Sequence, residues 1–189
     1  MIRAILQLGL WTFVCGIFYP ALVYGFAKLA FPKASSGSLV EVDGKVIGSE
    51  LLAQSFDSPE YFHSRPSAIG YDTSSSGASN QGATSLSLSK KVEERRMYWI
   101  SRGGTEPVPP ELLYSSASGL DPHLSVEAVK YQIPVVAKVK GISGAKLDRL
   151  IEDTIESPEW GLFGSSKINI LKLNLKLRTV YLEENIQKN

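Results

Sequence analysis

Cysteine is all but missing from these 189 residues. The single one, Cys15, lies in an apolar N-terminal run, so no intrachain disulfide can form and cysteine usage does not report the redox compartment. Histidine is nearly as scarce. His63 and His123 stand far apart, and neither belongs to a Cys/His cluster with metal-ligand spacing. An excess of either charge is also missing: two of the 20 Lys and Arg fall in residues 1–31 and all 19 Asp and Glu follow them, leaving residues 32–189 with a net formal charge of −1. A domain so balanced has no electrostatic footprint for nucleic acid. Neither the G-x-S-x-G nucleophile elbow nor a phosphate loop with its Lys-Ser/Thr occurs.

One long apolar run is present. Between Arg3 and Lys28, 24 residues pass without a charge. As a helix rising about 1.5 Å per residue, the run is roughly 36 Å long, enough to cross a hydrocarbon core of about 30 Å with some tilt. A cleaved signal peptide is the competing reading. Against it, the run exceeds an h-region of about 7–15 residues, no clean A-x-A site follows, and Thr12-Phe13-Val14 before Cys15 fits a lipoprotein cleavage site poorly. The sequence therefore predicts an uncleaved membrane helix over residues 1–31. Gly9, Thr12 and Gly16 recur at i, i+3, i+7, which aligns small residues on one face, and Pro20 follows on the same side. That face is either a packing surface for a second helix or the ordinary Gly and Pro content of membrane helices. Orientation is a tie by the positive-inside rule, with Arg3 and the amino terminus on one side and Lys28 and Lys33 on the other.

Residues 32–189 read as one soluble α+β domain of ordinary size. SLVEVDGKVI (38–47) alternates around Asp43-Gly44, the signature of a tight hairpin. GSELLAQSF (48–56) predicts one or two helical turns capped by Ser49, and Arg65-Pro66 forces an extended stretch after a turn at 57–60. Residues 70–85, rich in Ser, Thr and Gly, cannot bury a core and read as loop, as does 115–125. Between them, 85–101 is an amphipathic helix stopped by Gly103-Gly104, and Pro109 and Pro110 tolerate only a first helical turn. Ser125 caps a further helix that Pro134 kinks or divides. A second amphipathic helix is expected over 143–157, then a strand and a closing helix from the alternation of INILKLNLKL.

Ser116, Ser118, Asp121 and His123 lie within eight residues and offer a nucleophile and a base to a membrane-anchored serine hydrolase. A triad normally gathers its members from distant segments, and Asp before Pro more often turns the backbone. No self-sufficient active site and no metal site is expected. A solitary ligand-binding sensor is a third reading.

Several strings resemble a known family. GSLVEVDGKVIGSELLAQSF, YFHSRPSA (61–68), SGASNQG (76–82), SASGLDPHLS (116–125), YQIPVVAKVK (131–140) and INILKLNL (168–175), with YPAL (19–22) in the membrane helix, are similar to the C chain of the Kdp potassium-transporting ATPase. The resemblance runs in order along nearly the whole chain. Ser76-Gly77-Ala78-Ser79-Asn80 stands where the family usually reads SGGSN, and PVPPELL where it reads PVPxxLV.

The resemblance implies a non-catalytic subunit of an ATP-driven, high-affinity potassium importer in a prokaryotic inner membrane. Its partners would be a channel-like chain, a P-type ATPase chain and a very small hydrophobic chain, which it would assemble. It would also act as a catalytic chaperone that raises the ATPase chain's affinity for ATP. The resemblance breaks the charge tie, with the N-terminus cytoplasmic and the soluble domain outside the membrane. ATP is cytoplasmic, so in that topology the effect on ATP must travel as a coupling free energy through membrane contacts. The opposite topology would admit direct nucleotide contact through Gln132 and the Ser118-Gly119-Leu120-Asp121 turn. A domain outside and over the potassium entrance could instead steer cations with Asp72 and Asp121, unless each carboxylate merely hydrogen-bonds its own turn.

Overall fold

The computed structural model describes residues 1–187. The chain divides into two compact units, Met1–Ser49 and a second beginning at Glu50. The division falls after the hairpin, where the sequence reading drew the boundary before it, at residue 31.

The first unit opens with a continuous helical stretch, Ile2–Ala30. Among the described residues it is the one helix long and apolar enough to cross a membrane, and none of it is buried. Within it α1 (Ile2–Phe13) and α2 (Tyr19–Ala30) flank a π turn at Val14–Phe18. The cause is local. Pro20 has no N–H to donate, and the Tyr19 N–H reaches back five residues to the Val14 carbonyl. After Pro32 a short 3-10 turn (Ala34–Ser36) leads into the antiparallel pair β1 (Leu39–Val42) and β2 (Lys45–Ser49). Asp43 and Gly44 both take positive φ, +51° and +73°, as a two-residue hairpin turn of matching twist requires. The helix expected at 48–56 is absent. Ser49 ends β2 instead, with its hydroxyl donating to the Gly37 carbonyl, and the chain beyond is turn and irregular backbone.

In the second unit, helices surround a small antiparallel sheet, giving the expected α+β class. The helices are α3 (Leu86–Ser101), α4 (Pro110–Leu113), α5 (Val126–Lys130), α6 (Ile133–Lys140), α7 (Gly144–Glu152) and α8 (Ile170–Gln187). β3 (His123–Ser125), β5 (Lys167–Asn169) and β4 (Ile155–Glu156) lie side by side in that order. Ser85 caps α3 by accepting from the Leu88 N–H, and Ser125 caps α5 through the Ala128 N–H. Pro134 starts a new helix, α6, rather than kinking one.

Two further readings needed correction. Residues 123–125 leave the 115–125 loop to join the sheet. The helix expected to 157 stops at Glu152, where the Thr154 hydroxyl turns back to the Leu150 carbonyl and β4 follows. The strand and closing helix expected from INILKLNLKL are both present and meet at Ile170, where Asn169 caps α8 through the Lys172 N–H. Ile170, Leu173 and Leu177 then fall at i, i+3, i+7 and are wholly buried. They meet Leu147 and Ile151 of α7, Val129 and Val136, Leu124 and Ile168 of the sheet, and Phe62 in one core.

Candidate functional site

The stretch around Phe62 and His63 pairs with no strand. Two amide side chains replace the missing ladder. The Asn174 Oδ1 accepts the Phe62 N–H at 2.9 Å while its Nδ2 donates to the Phe62 carbonyl at 2.8 Å. One residue on, the Gln132 Oε1 accepts the His63 N–H at 2.8 Å, and its Nε2 donates to the His63 carbonyl at 3.2 Å and to that of Ala128 at 3.3 Å. Successive residues of an extended chain present their polar groups to opposite sides, so one clamp grips each side. Gln132 is 0% exposed and Asn174 2%. The amide proposed for nucleotide contact is therefore spent on the protein's own backbone.

Held in this way, His63 faces an aromatic group. Its ring lies edge-on to Trp99 at 5.3 Å, its Nε2 is 3.4 Å from the Tyr98 hydroxyl, and the Arg102 guanidinium stacks 3.6 Å over the Tyr98 ring. His63, Tyr98 and Trp99 border a solvent-open recess of about 360 Å³ completed by Asp57, Ser64, Pro66, Arg95 and Leu112. Burial, first of all, pushes the His63 pKa below its ordinary value, and Asp57 opposes the shift. Arg95 is also partly committed, donating to the Leu113 carbonyl at 2.6 Å and the Ser115 hydroxyl at 3.2 Å.

The two Ser/Gly-rich loops meet. The Ser118 carbonyl accepts the Gly77 N–H at 2.9 Å and the Ser76 hydroxyl at 3.2 Å. Gly119, at φ +72°, sits where a Cβ would come within 2.6 Å of Ile69 Cγ1 and 2.9 Å of the Gly77 carbonyl. Only glycine admits both the conformation and the approach. The Ser118 hydroxyl is taken by the Leu120 N–H at 3.1 Å, and Ser116 is 2% exposed.

Asp121 begins a line of charges. It accepts the His123 N–H at 3.1 Å, which makes the turn before Pro122, and it pairs with Arg65 at 3.3 Å. His123 Nε2 lies 3.3 Å from Glu156, which with Glu50 also holds Lys172. Burial and then Lys167 lower the His123 pKa, against the pull of Glu156 and Asp121. Among the described residues no serine hydroxyl hydrogen-bonds the His123 ring, so the structure does not assemble the hydrolase constellation. Nor, among those residues, does a group of three or more His, Cys, Asp or Glu lie in reach of one metal ion. Asp72 differs from Asp121. It is fully exposed, and the Ser74 side chain and N–H hold its carboxyl below the usual range.

In the first unit, Gly9 and Thr12 lie on α1, and Gly16 lies inside the π turn. The wider turn offsets Gly16 from strict i, i+3, i+7 alignment. A Cβ at Gly9 or Gly16 would meet nothing within 4 Å. Sequence reasoning missed Asn174, Arg65 and Arg95, whose partners lie from 18 to 112 residues away. No local pattern announces contacts so distant.

The comparisons with known proteins agree with one another. The family model KdpC, described as the c chain of the K+-transporting ATPase, matches residues 1–179. A protein of Geobacter sulfurreducens named potassium-transporting ATPase KdpC subunit is 44% identical over 181 residues, covering 94% of this chain and 96% of that one. Proteins with the same name from Methylococcus capsulatus and Leptospira interrogans are 42% and 46% identical over 179 and 167 residues. They cover 92% and 88% of this chain, and 94% and 86% of their own. With a family model over nearly its whole length and relatives at this identity, the chain belongs to the KdpC family, the c chain of the K+-transporting ATPase.

Proposed function

We propose that this chain is the non-catalytic assembly subunit of a high-affinity, ATP-driven potassium importer. It joins a channel-like chain, a P-type ATPase chain and a very small hydrophobic chain in the inner membrane of a prokaryote. The observation that carries the reading is a family match over residues 1–179 on a chain whose Ser118 hydroxyl, Asp121 and His123 are engaged by its own backbone and ion pairs. Its N-terminal helix docks through Gly9, Thr12 and Gly16. Lipid offers no hydrophobic drive for helices to associate, so close approach of backbones must supply the contact, and small residues permit it.

The second unit lies outside the membrane, with the N-terminus cytoplasmic. As a catalytic chaperone the chain raises the ATPase chain's affinity for ATP at a distance, by a coupling free energy carried through membrane contacts. The buried, fully bonded amide of Gln132 supports the indirect route over nucleotide contact at that residue. Of the two carboxylates considered for cation steering, Asp72 carries an open charge, while Asp121 is paired with Arg65.

The test of docking compares Gly16→Leu with Phe13→Leu in the full complex. A Cβ at position 16 would meet nothing within 4 Å in its own chain, so lost co-purification of the partner chains in Gly16→Leu alone reports a crowded helix pair. Equal retention in both variants removes the argument. Topology is tested by fusing a reporter active only in the cytoplasm after Asn189. It should stay silent, and a bright reporter reverses the orientation and reopens direct nucleotide contact.

A further inference from the structure

Between β4 and β5 the chain leaves the sheet as a narrow hairpin. Glu159 and Phe163 exchange both backbone hydrogen bonds, each at 3.0 Å, and Trp160 and Gly161 turn the tip with φ of +53° and +73°. A tryptophan in the left-handed region is unusual, since such turns favour Gly, Asn or Asp. Here the tip carries three large apolar side chains into solvent: Trp160 is 90% exposed, Leu162 81% and Phe163 63%. Trp160 and Phe163 pack edge-to-face at 6.1 Å, which forms a wedge. Over 157–167 the only charged residues are Glu159 and Lys167, and they cancel.

We propose that this tip is a membrane-interface anchor, with Trp160, Leu162 and Phe163 entering the headgroup–acyl boundary of the bilayer that receives the candidate span Ile2–Ala30. Four observations favour the bilayer as the occupant. The same chain carries a helix long and apolar enough to cross it, so covalent tethering keeps a bilayer near this domain. Indole and phenyl rings on a projecting turn suit the interface, where one end of the group is apolar and the other wet. Three side chains fall far short of the roughly 20–30 residues a side that a specific protein interface uses. The tip residues 160–164 carry no charge that would have to be desolvated on entering the apolar boundary. The anchor works on either face of the membrane, so it does not depend on the orientation proposed above.

The full chain reconstituted alone in phosphatidylcholine nanodiscs tests this. A nitroxide is placed through Leu162→Cys in a Cys15→Ser background, and at a control position through Ser89→Cys on the exposed face of α3. The proposal expects oxygen to relax the label at 162 more than a water-soluble nickel chelate does. The order should reverse at 89, and neither result should change between low and high salt, because insertion is apolar. If nickel dominates at 162, the tip is in water when no partner chain is present, and the bilayer is not its occupant. A signal at 162 that needs high apolar accessibility but vanishes with salt would make the contact electrostatic, which also overturns the proposal.

Discussion

Gln132 separates a structural reading from a ligand-binding one, and its replacement by alanine has a calculable cost. The side chain is wholly buried and satisfies both the N–H and the C=O of His63. Truncation leaves those two backbone groups without partners in the interior, at about 1–3 kcal/mol each, so the second unit should lose roughly 2–6 kcal/mol. Gln132→Glu is more informative. One carboxyl oxygen can still accept the His63 N–H, but the other faces the carbonyls of His63 and Ala128 and can satisfy them only when protonated. That variant should be unstable at neutral pH and recover as the pH falls, opposite in sense to wild type. Equilibrium urea unfolding of the full chain in mild detergent, followed by tryptophan emission, measures both effects. Asn174→Ala should behave like Gln132→Ala. Because the two clamps hold adjacent residues, the double variant should cost less than the sum of the singles. A loss below about 0.5 kcal/mol for Gln132→Ala would be that of an ordinary surface residue and would refute the clamp.

Gly119→Ala forces a Cβ against Ile69 and the Gly77 carbonyl in a left-handed backbone and should lower thermal stability by about 1–3 kcal/mol, whereas Gly82→Ala, which meets nothing within 4 Å, should be near neutral. His63, held below 6.5 mainly by burial, binds protons more readily unfolded than folded. Its contribution is complete above about 6.5 and is lost as the pH drops through that value towards the folded pKa, so His63→Gln should flatten the acid side of the unfolding profile. His123, shifted the same way, should keep a share of the slope. Asp72→Asn should weaken apparent potassium affinity at low ionic strength and converge with wild type as salt rises; indifference to salt would leave Asp72 as a former of its own turn.

Local signals were legible in the sequence and long-range ones were not. The Asp43-Gly44 hairpin, the Ser125 cap and the break before Pro134 all rest on dihedral or donor constraints spanning a few residues, and each appears in the structure. The errors occurred where a short pattern suited two states. Within INILKLNLKL the same leucines fit a strand face and a helical face, so the alternation left their junction open, and Asn169 as a cap sets it at Ile170. β3 and β4 run for only three and two residues, too few for any period to show. At the candidate site the sequence named residues but not their distant partners. Gln132 and Asp121 looked available because their partners, His63 and Arg65, are 69 and 56 residues distant.

The central claim is that this chain works as a part of a potassium-transporting ATPase and has no activity of its own. The most direct measurement uses an affinity tag after Asn189, gentle solubilisation of membranes expressing all the chains, and assay of the eluate for potassium-stimulated ATP hydrolysis. The account predicts that channel-like and ATPase chains elute with the tagged chain, that the stimulated activity is in the eluate, and that the chain expressed alone shows none. If the tagged chain elutes alone while potassium-stimulated hydrolysis stays fully in the flow-through, the account is contradicted.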